Sequence, residues 1–167
     1  DTTAPTLVSF TLNEDTGLLS LSFSEPVRAN TLAATRITLQ AAQSITDSAT
    51  QAVTLTGALQ PSTTNGLQLS LTITTSDLNA IKKKVGIVTG TTTFLVVSQG
   101  VAQDMSGNDC SAIANGAALQ ATQVTTDTTE PQLVSFDLNM DTAELTLHFD
   151  ETVKASTLQA QHLQLQD

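Results

Sequence analysis

LVSFTLNEDTGLLSLSF, residues 7–23, carries the pattern that decides the fold. Leu19, Leu21 and Phe23 alternate with Leu18, Ser20 and Ser22. An apolar residue at every second position marks a strand with one face on a core. Val8, Phe10 and Leu12 follow the same period and are expected to face that core as well. Between the two runs stands Asn13-Glu14-Asp15-Thr16-Gly17, a composition suited to reversing the chain, so residues 6–23 are predicted to form an antiparallel β-hairpin.

The chain contains its own control, because residues 1–40 return without a gap as residues 127–166. The opening DTTAPTLVSFTLNEDTG becomes DTTEPQLVSFDLNMDTA. Leu19, Leu21 and Phe23 recur as Leu145, Leu147 and Phe149, while Leu18, Ser20 and Ser22 become Glu144, Thr146 and His148. One face stays apolar and the other is free to become charged. The repeat is the size of a domain, far longer than the unit of a solenoid. The sequence is therefore divided into a complete unit, 1–126, and the start of a further one, 127–167. The first has enough chain for an independent core. A piece of about 40 residues without disulfides or metal rarely closes one, so the second is expected to fray, to pack on a neighbour or to be completed by further sequence.

Further strands are expected at Ile37 to Ala41, Ala52 to Gly57, Leu67 to Thr72, Thr93 to Val97 and Leu119 to Val124, punctuated by Thr, Ser, Gly and Asn. The fold class is all-β, an antiparallel β-sandwich with one short helix. That helix is SDLNAIKKKVG, residues 76–86: Ser76 as cap, Asp77 at the positive end, Leu78, Ile81 and Val85 on one face, and lysines at the negative end before Gly86. Lys82, Lys83 and Lys84 are expected to be a solvated helix end.

A formal charge of −10 and a pI near 4.2 argue against nucleic acid and against direct association with anionic membranes. Divalent cations are the natural counterparts of such a surface. No apolar run reaches the ~20 residues that span a bilayer. Cys110 is the single cysteine and can form no intrachain disulfide.

Three segments in order, DTTAP at 1–5, FSEPV at 23–27 and AQDMSGND at 102–109, resemble the bacterial Ig-like repeats typified by the SbsA-like domains of S-layer proteins and large surface adhesins. Similar repeats occur in long extracellular proteins of microalgae. The resemblance implies an Ig-like sandwich, tandemly repeated, at the cell surface or outside the cell.

Topology then places residues. If the first strand leaves the N-terminal pole, the second returns to deliver Glu25 beside Asp1, and a last strand leaving at the far pole puts the turn of Asp104, Asn108 and Asp109 near them both. Carboxylates gathered without an interleaved cation raise one another's pKa or hold a metal, and Ca²⁺ accepts six to eight oxygens in irregular sets. The candidate ligands are Asp1, Glu25, Asp104, Asn108 and Asp109, with Asp127 and Glu151 as the counterparts of Asp1 and Glu25 at the junction of the units. A second interpretation stands beside this one: the aspartates start turns, Glu25 caps or pairs with Arg28, and Gly107 supplies a positive φ.

Catalysis has little support. His148 and His162 replace Ser22 and Arg36 and fall only in the incomplete copy, and no nucleophile elbow, zinc-binding pair or phosphate loop occurs. With no Trp or Tyr, stacking platforms for sugars or bases are missing. The sequence therefore points to a structural module, not an enzyme: a repeat of a fibre, stalk or layer whose partners are neighbouring repeats and like chains. The alternative is an adhesin module that binds a glycan or protein through its loops, with Gln60 to Gly66 as the candidate loop.

Overall fold

The quoted stretch is a hairpin in the computed structural model, which describes residues 1–84, 86–87 and 93–166. Strand β1 (Leu7–Asn13) pairs antiparallel with β2 (Leu18–Val27), and Phe10 faces Leu21 across the ladder. The connecting turn puts Gly17 at φ 68°, a conformation open to glycine at little cost.

One expected core position is corrected. Val8 is 56% exposed, and Leu7, at 6%, takes its place in the core. Leu7 pairs with Phe23 and Ser9 with Ser22, so β1 advances two residues while β2 advances one. The extra residue is Val8, a β-bulge that turns its side chain outward and lets Leu7, Phe10 and Leu12 share one face.

The chain packs as two compact units, Asp1–Thr128 and Thr129–Asp167. In the first, β3 (Ile37–Gln40), β4 (Ala52–Thr54), β5 (Ala58–Leu59), β6 (Gly66–Ile73), β7 (Phe94–Val97), β8 (Leu119–Gln120) and β9 (Gln123–Thr125) join the hairpin. Among the described residues they form one sheet in the order β5-β6-β2-β1-β9 and another in the order β4-β3-β7-β8. Phe10, Leu19, Leu21, Leu69 and Leu71 from the first sheet and Ile37, Leu39, Leu95 and Val97 from the second belong to one buried cluster. This is a mostly β structure with its core between two sheets.

The predicted strand at 119–124 is two short strands in different sheets. The Ala121 amide donates to the Thr93 carbonyl (2.9 Å) and the Thr122 amide to the Phe10 carbonyl (3.0 Å), so the chain steps from one sheet to the other between them. On arrival β9 runs parallel to β1, with Leu12 opposite Val124. Parallel first and last strands make the unit's chain leave at the pole opposite its start.

Among the described residues two α-helices stand where one was expected: a single turn, α1 (Ser48–Gln51), and α2 (Thr75–Lys83). The cap of α2 is Thr74 and not Ser76; its hydroxyl accepts from the Asp77 amide at 3.2 Å. Ile81 is buried as predicted, whereas Val85 lies outside the described residues.

In the second unit β10 (Leu133–Asn139) and β11 (Glu144–Phe149) repeat the hairpin pair for pair, down to the bulge at Val134. The short 3-10 turns after β2, Ala29–Thr31 and Ala34–Arg36, also recur as Ala155–Thr157 and Ala160–His162.

Candidate functional site

At the N-terminal pole of the first unit one carboxylate oxygen from each of Asp1, Glu25 and Asp104 lies within 4.8 Å of the other two. Three pieces of backbone converge there. The Ser24 amide donates to the Thr6 carbonyl (2.9 Å) and the Thr6 amide to Ser24 Oγ (3.0 Å), which clasps the end of β2 to the opening segment and holds Glu25 near Asp1. Val27 forms an antiparallel bridge with Asp104, and the Arg28 amide donates to the Gln103 carbonyl at 2.7 Å. The Asp104–Asp109 turn is thereby fixed against β2.

Asp104 is the buried member of the group. Its carboxylate accepts from the Asn108 amide and from Asn108 Nδ2, each at 2.7 Å, and Asn108 Nδ2 also reaches the Asp1 carbonyl at 3.3 Å. Burial pushes the Asp104 carboxyl up, but the bonds from the Asn108 side chain and from the amides of Asn108, Gly107 and Ser106 outweigh it and hold it below the usual 3.8. A carboxyl depressed in the folded state stabilises the fold above its unfolded pKa. That contribution disappears as pH falls below 3.8 through the lower folded value. At neutral pH Asp104 is an anion.

The other expected ligands are distributed differently. Asn108 belongs to the group through its bonds to Asp104 and Asp1. Asp109 lies outside the group of three and accepts from Gln103 Nε2 at 2.9 Å. Arg28 donates to the Asp104 carbonyl (3.0 Å) and to Gln103 Oε1 (2.8 Å), an arrangement that replaces the expected pairing with Glu25. Gly107 has the positive φ predicted for it, 95°. Glu151 is in the second unit. Asp127 stands at the exit pole of the first unit, paired with Lys82.

Among the described residues the group consists of oxygen donors, with Glu25 partly and Asp104 fully sheltered, and such a set suits a hard cation such as Ca²⁺ better than zinc or copper. Asn108 would add its amide oxygen, which takes part in neither of its donated bonds.

The exit pole holds an arrangement that the sequence did not single out. The Glu14 amide donates to the Thr125 carbonyl at 2.9 Å, the Thr128 amide to Asp15 Oδ1 at 2.8 Å, and Lys82 Nζ reaches Asp127 Oδ2 at 2.5 Å. Lys82 is thus not a solvated helix end; its side chain is 16% exposed. Lys84 donates to the Ala52 carbonyl. Glu14 is buried with Oε1 lacking a hydrogen-bond partner. Burial first, then the charges of Asp127 and Asp15, push its carboxyl above the usual 4.5, against the pull of the Asp127 amide and Lys82. Cys110 is fully buried, and burial pushes its thiol up to about 11, so it stays protonated and unreactive.

No family model matches the chain, and no curated protein matches it. Among solved structures it is similar to the N-terminal part of the bacterial S-layer protein SbsC, at 16% identity and a TM-score of 0.45, over 80% of this chain and 26% of that one. A longer form, the S-layer protein rSbsC(31-844), is similar at 16% identity and a TM-score of 0.44, over 87% of this chain and 18% of that one. A thermostable esterase is similar at 12% identity and a TM-score of 0.39, over 85% of this chain and 40% of that one. The chain spans about a quarter or less of the SbsC structures. These are loose likenesses of structures with unlike functions, and the functional conclusion rests on the chain's own residues.

Proposed function

We propose that the chain is a structural tandem-repeat module of an extracellular or cell-surface fibre, stalk or layer, one that supplies length and stiffness and assembles with like chains. The observation that carries this is the parallel pairing of β1 with β9 in a chain whose opening sequence then begins again. A unit that starts at one pole and finishes at the other adds its full length with each copy. The first residues after β9 are tied down by Lys82 on Asp127 and by Asp15 on Thr128, which limits slack at the exit. Load along such a module enters at β1 and leaves at β9, so it falls on the β1–β9 and β1–β2 ladders and on the core beneath them. Open strand edges offer surfaces for lateral assembly.

Ca²⁺ completes the proposal. Held by Asp1, Glu25, Asp104 and Asn108, it would offset most of the negative charge of the three gathered carboxylates and pin the opening segment to β2 and to the Asp104–Asp109 turn.

Small-angle scattering from engineered arrays of two and three copies of residues 1–126 tests the mechanical reading. The maximum dimension is expected to grow by a constant increment per copy; growth as the cube root of mass would contradict it. Melting the 167-residue chain in calcium and in chelator tests the ion separately. Calcium should raise the midpoint, and Glu25→Gln should abolish the rise. A midpoint indifferent to chelator removes the ion and leaves the spacer to the scattering result.

A further inference from the structure

The second unit presents a groove lined by Leu145, Leu147, Phe149, Val153, Leu158 and Leu163. Their counterparts in the repeat are Leu19, Leu21, Phe23, Val27, Leu32 and Ile37, of which all but the partly buried Leu32 are in the buried core of the first unit. The groove is half of a core. Residues 41–126 supply the other half in the first unit, with Leu55, Leu69, Leu71, Ile81, Leu95 and Val97 all buried against that same set.

The edges of the second hairpin are open in the same sense. In the first unit β2 is covered by β6, with Leu19 opposite Leu71, Ser20 opposite Ser70 and Leu21 opposite Leu69. The free edge of β1 is covered by β9. Among the described residues β10 and β11 form a sheet of two strands only. An isolated hairpin with one apolar face is marginal in water, because it cannot bury enough surface to offset the entropy of ordering it.

We propose that this face is a docking surface for a segment of the 41–126 type, which enters by antiparallel addition to β11 in the register that β6 uses on β2. Leu145 would face the counterpart of Leu71, Thr146 that of Ser70 and Leu147 that of Leu69. The register is fixed because a slip of one residue would turn Leu145 and Leu147 away from the incoming apolar side chains. A second folded copy is a poor occupant. Its β6 is already paired on both sides, with β5 and β2, and could be lent only by opening its own unit. The inference rests on the repeat and on the shared register, and holds whatever role the array plays.

The test extends the full chain so that residues 42–126 are repeated after residue 167, and follows amide hydrogen exchange. The Glu144–Phe149 amides are expected to slow by on the order of 1,000-fold relative to the 167-residue chain, and Leu147→Asp in the extended chain should remove that protection. Should the extended chain aggregate, a peptide of residues 57–74 titrated into the isotopically labelled 167-residue chain replaces it. Shifts confined to Glu144–Phe149 and to 153–163 support the proposal, and an unperturbed spectrum at millimolar peptide overturns it. Exchange at β11 unchanged by the extension also overturns it, as does a concentration-dependent dimer of the unextended chain that already protects β11, which would assign the face to a second copy.

Discussion

Residues 7–37 and 133–163 are one structure in two environments. Both hairpins have the same pairs, the same bulge and the same two short turns after the second strand. Their burial is opposite: Phe10 and Leu12 are each 1% exposed, whereas Phe136 is 54% and Leu138 42% exposed. Alternation, turn chemistry and the Val8-type bulge are enough to specify the hairpin's shape. Stability has to come from elsewhere, since the same apolar face is a core only where residues 41–126 lie against it. Local sequence sets geometry here, and the rest of the unit supplies the free energy.

Truncating matched leucines probes that difference most strongly. Leu19→Ala should cost about 2–5 kcal/mol in the unfolding of the first unit by denaturant, through lost burial and a cavity. Leu145→Ala should leave that transition within about 0.5 kcal/mol of the parent. Equal effects from the two substitutions would mean that the second hairpin is as deeply packed as the first.

The turns give a smaller contrast. Gly17 has φ 68°, and a Cβ there would sit 3.3 Å from the Ile73 carbonyl oxygen. Gly17→Ala should therefore destabilise the first unit by about 1 kcal/mol or somewhat more. The repeat carries Ala143 at φ 57°, so Ala143→Gly should favour the second hairpin by about 0.5–1 kcal/mol, read from the β11 chemical shifts.

Glu14 offers the smallest contrast. Its counterpart in the repeat is Met140, and its own carboxyl is raised by burial. Between the usual 4.5 and its higher folded value the folded state holds more protons than the unfolded state, so stability falls as pH rises through that window. Glu14→Met should remove this decline and raise stability at pH 7 by under about 1 kcal/mol, seen by comparing denaturation midpoints at pH 4 and pH 7. A steeper decline in the variant would contradict the account of the exit pole.

Much of this was legible in the residues because the chain carries two versions of the same pattern. Substitution of Leu18 and Ser22 by Glu144 and His148 identified the outward face of the hairpin, and the run of the strands placed Asp1, Glu25 and Asp104 together. Most of the misses share one cause, which is that they depend on a partner distant in sequence. Leu7 and Val8 are adjacent apolar residues, and only the pairing of Leu7 with Phe23 decides which turns inward. The strand predicted at 119–124 is divided because its two ends bond to Thr93 and Phe10, in different sheets. Thr74 and Ser76 are both competent caps, and the chain's entry into α2 selects the first. Lys82 finds Asp127 only across the folded exit pole, where no local pattern points to it.

Amide hydrogen exchange on the 167-residue chain compares β2 with β11 directly. The account predicts that the Leu19 and Leu21 amides exchange only when the first unit unfolds globally, while those of Leu145 and Leu147 exchange through fraying, several orders of magnitude faster. Equal protection of the two strands would show that the second hairpin is stable without a complement, and would contradict the claim that shape and stability come from different parts of the repeat.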